Sequence, residues 1–224
     1  MPRAPRIDVG DLVYHVINRA NGRQTIFHTP NDYQHFERLL KEAVNRFGMR
    51  LLAYALMPNH WHIVLQPKED GDLSIFMQWL TLTHTQQYHV KTETIGHGHI
   101  YQGRYKSFLV DSDRYLLAVI KYVERNPVRA RIVRTVESWK WGSGYRKLNG
   151  TPNEQTLITP PPIDLPDHYR VWVNQPEKED ELEDVRISVN KGKPFGSMKW
   201  TERMVRHFGL ELTTRKPGRP KKGT

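Results

Sequence analysis

The chain has no cysteine among its 224 residues. That excludes disulfides and thiolate metal sites and fits a reducing compartment. No uninterrupted apolar run approaches the roughly 20 residues that a membrane-crossing helix needs. The opening Met1-Pro-Arg-Ala-Pro-Arg6 lacks the apolar core of a secretion signal. Acidic residues are in the minority, with 24 Asp and Glu against 34 Lys and Arg, for a formal charge of +10. The expectation is a soluble cytoplasmic protein with no membrane partner and an affinity for polyanions.

That charge is unevenly spread. Residues 1–150 carry 21 basic against 13 acidic side chains, a net of +8; residues 151–185 carry 2 against 9, or −7; residues 186–224 carry 11 against 2, or +9. Length suggests one domain with appendages: a globular domain over 1–150, an acidic linker over 151–185 marked by Pro160-Pro-Pro162 and Pro166, and a basic tail over 186–224. Glu177 to Asp184 reads as a solvated acidic run, and Trp200 to Leu210 as a short amphipathic helix. The final Arg215-Lys-Pro-Gly-Arg-Pro-Lys-Lys222 resembles an AT-hook centred on Gly218-Arg219-Pro220. A thin extended segment of this kind can enter a narrow minor groove, which makes Arg215, Lys216, Arg219 and Lys221 candidate DNA contacts.

The most informative stretch is Leu51-Leu-Ala-Tyr-Ala-Leu-Met-Pro-Asn-His-Trp-His-Ile-Val-Leu-Gln66. Two apolar runs flank a Pro-Asn turn signal and read as strand, tight connection, strand. Alternation along the second strand sends His60 and His62 to one face and Trp61 to the other. Two neutral imidazoles so placed can chelate one divalent metal; a pair of half-buried strand histidines explains the same letters. Upstream, Leu12 to Asn18 reads as a first strand with Arg19 to Gly22 as a turn, and its His15 either lines the metal site or sits in the core. A helix capped by Asn31 or Asp32 runs to Phe47 and stops at Gly48. A second helix is marked by Leu73, Phe76, Met77, Leu80 and Tyr88, and Arg104 to Val110 reads as another strand. Gly96-His-Gly-His99 holds a further His-x-His, but on a loop without a strand to fix its geometry. Strand, helix, strand, strand, helix, strand suggests an α+β, ferredoxin-like antiparallel sheet with helices on one face.

A third helix follows. Leu116, Val119, Ile120 and Val123 recur at helical spacing after the candidate caps Asp111, Ser112 and Asp113. Tyr122 and Asn126 lie one turn apart, and Pro127 disfavours helical geometry at Asn126. Tyr122 is a candidate nucleophile and the Asn126 amide oxygen a candidate third metal ligand; alternatively the ring packs and the amide caps. Beyond Arg134, Trp139, Trp141 and Tyr145 are interleaved with Lys140, Arg146 and Lys147. Rings among cations suit base stacking with phosphate contact, and equally a terminal element packed on the core.

His60-Trp61-His62 resembles the His-hydrophobic-His motif of the single-tyrosine transposases, the HUH-type family of the IS200/IS605 elements. Within it, Tyr122-Val-Glu-Arg-Asn-Pro-Val-Arg-Ala130 is similar to the tyrosine-helix signature of the REP-associated tyrosine transposases, and Met57-Pro-Asn-His-Trp-His62 and Tyr101-Gln-Gly-Arg-Tyr-Lys-Ser107 fit as well. The resemblance covers about Leu12 to Tyr145 and implies the same ferredoxin-like fold. It also implies single-stranded DNA cleavage and rejoining beside palindromic hairpins, through a 5′-phosphotyrosine on Tyr122. Imidazole and amide-oxygen ligation by His60, His62 and Asn126 suits Mg²⁺ or Mn²⁺. Candidate DNA contacts in this domain are Arg104, Lys106, Lys121, Arg125, Arg129, Arg131 and Arg134. Such a protein would act on the nucleoid, as a monomer or as a homodimer that exchanges tyrosine helices. The competing class is a non-catalytic regulator that binds DNA by sequence or by hairpin shape.

Overall fold

The computed structural model describes residues 6–111 and 113–215. Four strands form one antiparallel sheet in the order β2-β3-β1-β4: β1 (Val13–Arg19), β2 (Arg50–Met57), β3 (His60–Gln66) and β4 (Lys106–Val110). Helix α1 (Pro30–Phe47) links β1 to β2, and α2 (Asp72–Thr92) links β3 to β4, which is the ferredoxin-like topology. The start of α1 is set by Thr29, not Asn31 or Asp32. Thr29 and Asp32 form a capping box, Pro30 occupies the first turn, and Gly48 ends the helix at φ 61°.

Helices cover both faces of the sheet, not one. Tyr14, Val16, Trp61, Ile63 and Leu65 pack with α1 and α2. Val13, Val64, Phe108 and Val110 pack on the other side with Leu116, Val119, Ile120 and Val123 of α3 (Arg114–Glu124). A β-bulge makes β2 serve both layers. Its register steps from Leu51↔Leu65 to Ala53↔Val64, so Leu51 faces α1 and α2 while Leu52 and Ala53 face α3.

Residues beyond α3 build more structure than a linker and a tail. The chain continues through α4 (Asn126–Arg129), α5 (Ser143–Asn149), α6 (Pro152–Gln155), α7 (Tyr169–Asn174), α8 (Glu179–Lys191), α9 (Met198–Phe208) and α10 (Glu211–Thr214). Helix α8 runs straight through the expected boundary at 185. Leu157, Val173, Val185 and Phe195 from this region are buried. Phe195 forms a parallel bridge with Val110 at the edge of β4.

Trp141 is part of the core and Trp139, partly buried, packs against it. Trp141 stacks on Tyr33 with ring centroids 5.0 Å apart, and Trp139 Nε1 donates to the Leu56 carbonyl at 2.9 Å. Arg146 pairs with Glu37 at 2.6 Å. Trp139, Trp141 and Arg146 are thus engaged in packing within the protein. Glu124, at the end of α3, has a fully buried side chain that accepts from Ser143 Oγ at 2.6 Å and Lys147 Nζ at 2.9 Å, and from the Tyr169 hydroxyl. One carboxylate thereby joins α3 to α5 and α7.

On the α1/α2 side, Trp61 Nε1 donates to the Tyr101 hydroxyl at 3.0 Å, which lies 2.7 Å from His84 Nδ1. Trp is donor-only, so the phenol accepts from Trp61, and its second partner is Nδ1 of a neutral His84. Burial holds His84 down at about 3. An unfolded histidine takes a proton near pH 6.5, so stability is full above that value and falls as pH drops from about 6.5 towards 3. His84 alone should therefore remove about 2 kcal/mol by about pH 5. Melting temperature followed against pH should decline below about pH 6.5; a flat profile down to pH 5 contradicts this reading.

Candidate functional site

His60 and His62 leave β3 on the α3 face, and their rings lie 5.2 Å apart. Asn59 Nδ2 donates to the Arg23 carbonyl at 3.1 Å, which turns Oδ1 towards His60 Nδ1, 2.7 Å away. His60 thus donates from Nδ1 and keeps a lone pair on Nε2. His62 Nδ1 lies 2.8 Å from Nε2 of His15, with the two rings stacked 5.0 Å apart. His15 sits directly beside the pair and is 0 % exposed, with its own Nδ1 unpartnered. Burial lowers all three, His15 to about 3, His60 to about 4 and His62 well below the ordinary histidine range, so each is neutral at pH 7.

Neighbours that occupy Nδ1 and leave Nε2 available are what metal-ligating histidines need. The donor chemistry of the pair fits a divalent cation. Among the described residues no cluster of three or more His, Asp or Glu could hold a metal, so oxygen donors of another kind would have to complete the shell.

Helix α3 follows β4 almost at once, and the Asp113 side chain caps it by accepting from the Tyr115 amide at 3.1 Å. The apolar stripe of α3 docks on the sheet and carries Tyr122 to the imidazoles. The phenol ring meets His62 edge-on at 5.8 Å and His15 at 6.2 Å, within one chain. It is 9 % exposed, with the Arg129 guanidinium 4.1 Å above it. Burial raises the phenol's pKa, and Arg129 and Arg186 oppose that rise. Arg129 Nη2 also donates to the Tyr122 carbonyl at 2.5 Å. Asn126 opens α4, next to Pro127, and is partly buried.

Three expected DNA contacts are engaged inside the protein. Arg125 is buried and donates to Glu177 at 2.8 Å and to the carbonyls of Val173 and Asn174. Arg129 pairs with the same Glu177. Lys121 is buried with its Nζ 5.1 Å from the Trp172 ring. Arg125 and Arg129 hold α7 and the segment before α8 over α3, and Lys121 lies against the Trp172 ring of α7. The acidic run is correspondingly divided: the Glu177 side chain is only 4 % exposed, while Glu179, Asp180 and Glu181 stand in the first turn of α8, where they complement the helix dipole. Arg104, Lys106, Arg131, Arg134 and Arg215 are exposed. Lys216, Arg219 and Lys221, with the AT-hook-like motif, lie outside the described residues.

Sequence reasoning passed over Asn59 and Glu177. Asn59 was legible as an amide beside a candidate ligand in a tight turn, whereas Glu177 finds its partners across about fifty positions and leaves no local signal.

Among the described residues no helix is long and apolar enough to cross a membrane. A Haemophilus influenzae protein assigned as a REP-associated tyrosine transposase is 24% identical over 121 residues, which is 50% of this chain and 69% of that protein. A REP-associated tyrosine transposase solved bound to a REP hairpin superposes with a TM-score of 0.56 at 17% identity, over 69% of this chain and 90% of its own. The family profile described as "Transposase IS200 like" matches residues 8–126. That span runs from the approach to β1 through the imidazole strand and the tyrosine helix, and the chain belongs to the IS200-like transposase family.

Proposed function

We propose that this protein cuts and rejoins single-stranded DNA beside palindromic, REP-like hairpins through a 5′-phosphotyrosine on Tyr122. The observation that carries the reading is the meeting of the Tyr122 ring with the His15 and His62 rings on the face of the sheet where the His60–His62 pair emerges. The phenol gives its proton to solvent water as its oxygen bonds to the scissile phosphorus, the bond to the 3′ oxygen breaks, and that oxygen takes a proton from water and leaves as a hydroxyl. Reversal by another 3′-hydroxyl rejoins strands without ATP. Arg129, lying over the ring, favours the phenolate against the desolvation that opposes it. His60 and His62 through Nε2, with the Asn126 amide oxygen as third donor, would hold a Mg²⁺ or Mn²⁺ ion, which would supply charge neutralisation at the scissile phosphate. The resemblance to a hairpin-bound relative supports hairpin DNA as the substrate, and the site is assembled within one chain.

The test is a 3′-labelled hairpin oligonucleotide with a single-stranded flank, incubated with Mn²⁺ and resolved on a denaturing gel. A covalent protein–DNA band is expected from the native protein. Replacing both His60 and His62 by Ala should remove the band while hairpin affinity changes by only a few-fold. Undiminished adduct in that double variant moves the metal elsewhere, and a native protein that binds but never forms adduct is the non-catalytic regulator.

A further inference from the structure

A groove of about 740 Å³ runs along β1 and β4 and around the outer edge of β4. Its charge is one-sided: Arg6, Arg19, Arg104, Lys106 and Lys191 line it, and among the described residues no carboxylate does. The buried acids are committed elsewhere, Glu37 to Arg146, Glu124 to Lys147 and Glu177 to Arg125 and Arg129. Five like charges around one cavity repel each other until a polyanion enters.

The groove adjoins the imidazole site through the β-ladder. Arg19 is the cross-strand partner of His60, and Ile17 that of His62. On its other side Ile17 pairs with Lys106. Ile17 and Phe108 give the groove an apolar floor suited to bases and sugars, below a cationic rim suited to phosphates.

Its outer wall is made by residues beyond the part of the chain that matches the family, which ends at 126. Residues 189–192, with Leu210 and Thr213, supply that wall. Gly192 ends α8 at φ 72° and lies beside β4, where an added Cβ would be in ordinary contact with the Ser107 carbonyl oxygen at 3.7 Å. Phe195 then fastens the segment, with its amide donating to the Leu109 carbonyl at 2.8 Å. Lys191 Nζ donates to the Arg215 carbonyl at 3.1 Å, so the chain enters its last basic stretch at this wall.

We propose that this groove is the track for the single-stranded DNA flanking the hairpin, and that the C-terminal extension completes it, with Lys191 facing Lys106 across the strand's phosphates. The inference rests on the single-strand reading above. Its test, however, reads binding and not cleavage. Fluorescence anisotropy compares a labelled hairpin carrying a single-stranded flank with the same hairpin cut blunt, across a KCl series. The native protein should prefer the flanked DNA. Lys106→Ala and Lys191→Ala should each weaken flanked binding about three- to tenfold and lower the salt slope by about 0.7 for each phosphate no longer neutralised, with blunt-hairpin binding unchanged. Lys191→Arg should restore the slope, which a merely structural Lys191 would not require.

Equal losses on flanked and blunt DNA would assign the groove to duplex. Unchanged binding to both in the Lys106→Ala/Lys191→Ala double variant would remove nucleic acid from it. Displacement by an acidic peptide but not by a single strand would make it a strand-addition edge for protein. Each of these overturns the proposal. Adduct formation in the same double variant at saturating protein keeps the Tyr122 chemistry separately testable.

Discussion

Replacing Tyr122 by Phe is expected to lower adduct formation by on the order of 10⁴-fold or more, with little change in fold or hairpin affinity. The substitution removes one oxygen and keeps the ring. That ring, edge-on to His62 at 5.8 Å and beneath Arg129 at 4.1 Å, provides the packing. Burial raises the hydroxyl's pKa, so the phenol is protonated at neutral pH, its loss removes no charge, and thermal stability should change little. The measurement pairs the denaturing-gel assay with a melt. Persistent covalent adduct in Tyr122→Phe would sink the assignment of the nucleophile. A large loss of melting temperature would instead show that the hydroxyl has a structural partner.

Glu124→Ala should be the most damaging single change outside the core. Its carboxylate is fully buried and holds Ser143, Lys147 and Tyr169 together. Removing it strands a Lys147 whose side chain is only 12% exposed. Breaking one partner of a buried pair costs about 3–5 kcal/mol, which for a chain of this size lowers the melting temperature by roughly 10 °C. Glu124→Gln keeps one acceptor for Ser143 and should cost less, about 1–3 kcal/mol. Denaturant unfolding of the three proteins checks both figures. A loss below about 1 kcal/mol in Glu124→Ala would mean that the three partners find other acceptors.

Much of the half that matches the family was legible because its signals are local. The Pro-Asn turn between two apolar runs places β2 and β3, and strand alternation puts His60 and His62 together. The apolar spacing of Leu116, Val119, Ile120 and Val123 delivers α3. One signal was present and went unused. Leu51-Leu-Ala-Tyr-Ala-Leu-Met57 is apolar without alternation, as in strands buried on both faces, yet helices were expected on one face only. The rest is long-range. Nothing near Glu177 distinguishes it from the solvated carboxylates that follow, because its burial depends on Arg125 at the end of α3 and Arg129 of α4, about fifty positions away. Glu124 and Arg125 sit inside the tyrosine signature as two charges of unspecified purpose, and only the folded chain shows that Glu124 holds Ser143 and Lys147 of α5 with Tyr169 of α7, while Arg125 holds Glu177 and the carbonyls at the end of α7.

The turn that carries His60 is fastened from several directions. Pro58 accepts the amides of Ile26 and Phe27, Asn59 accepts the Ala20 amide, and its side chain reaches Arg23. Whatever the imidazoles bind therefore meets rings already aimed and loses little freedom in ordering them. Affinity at this site should depend on the chemistry of the arriving oxygens, not on any rearrangement of the loop.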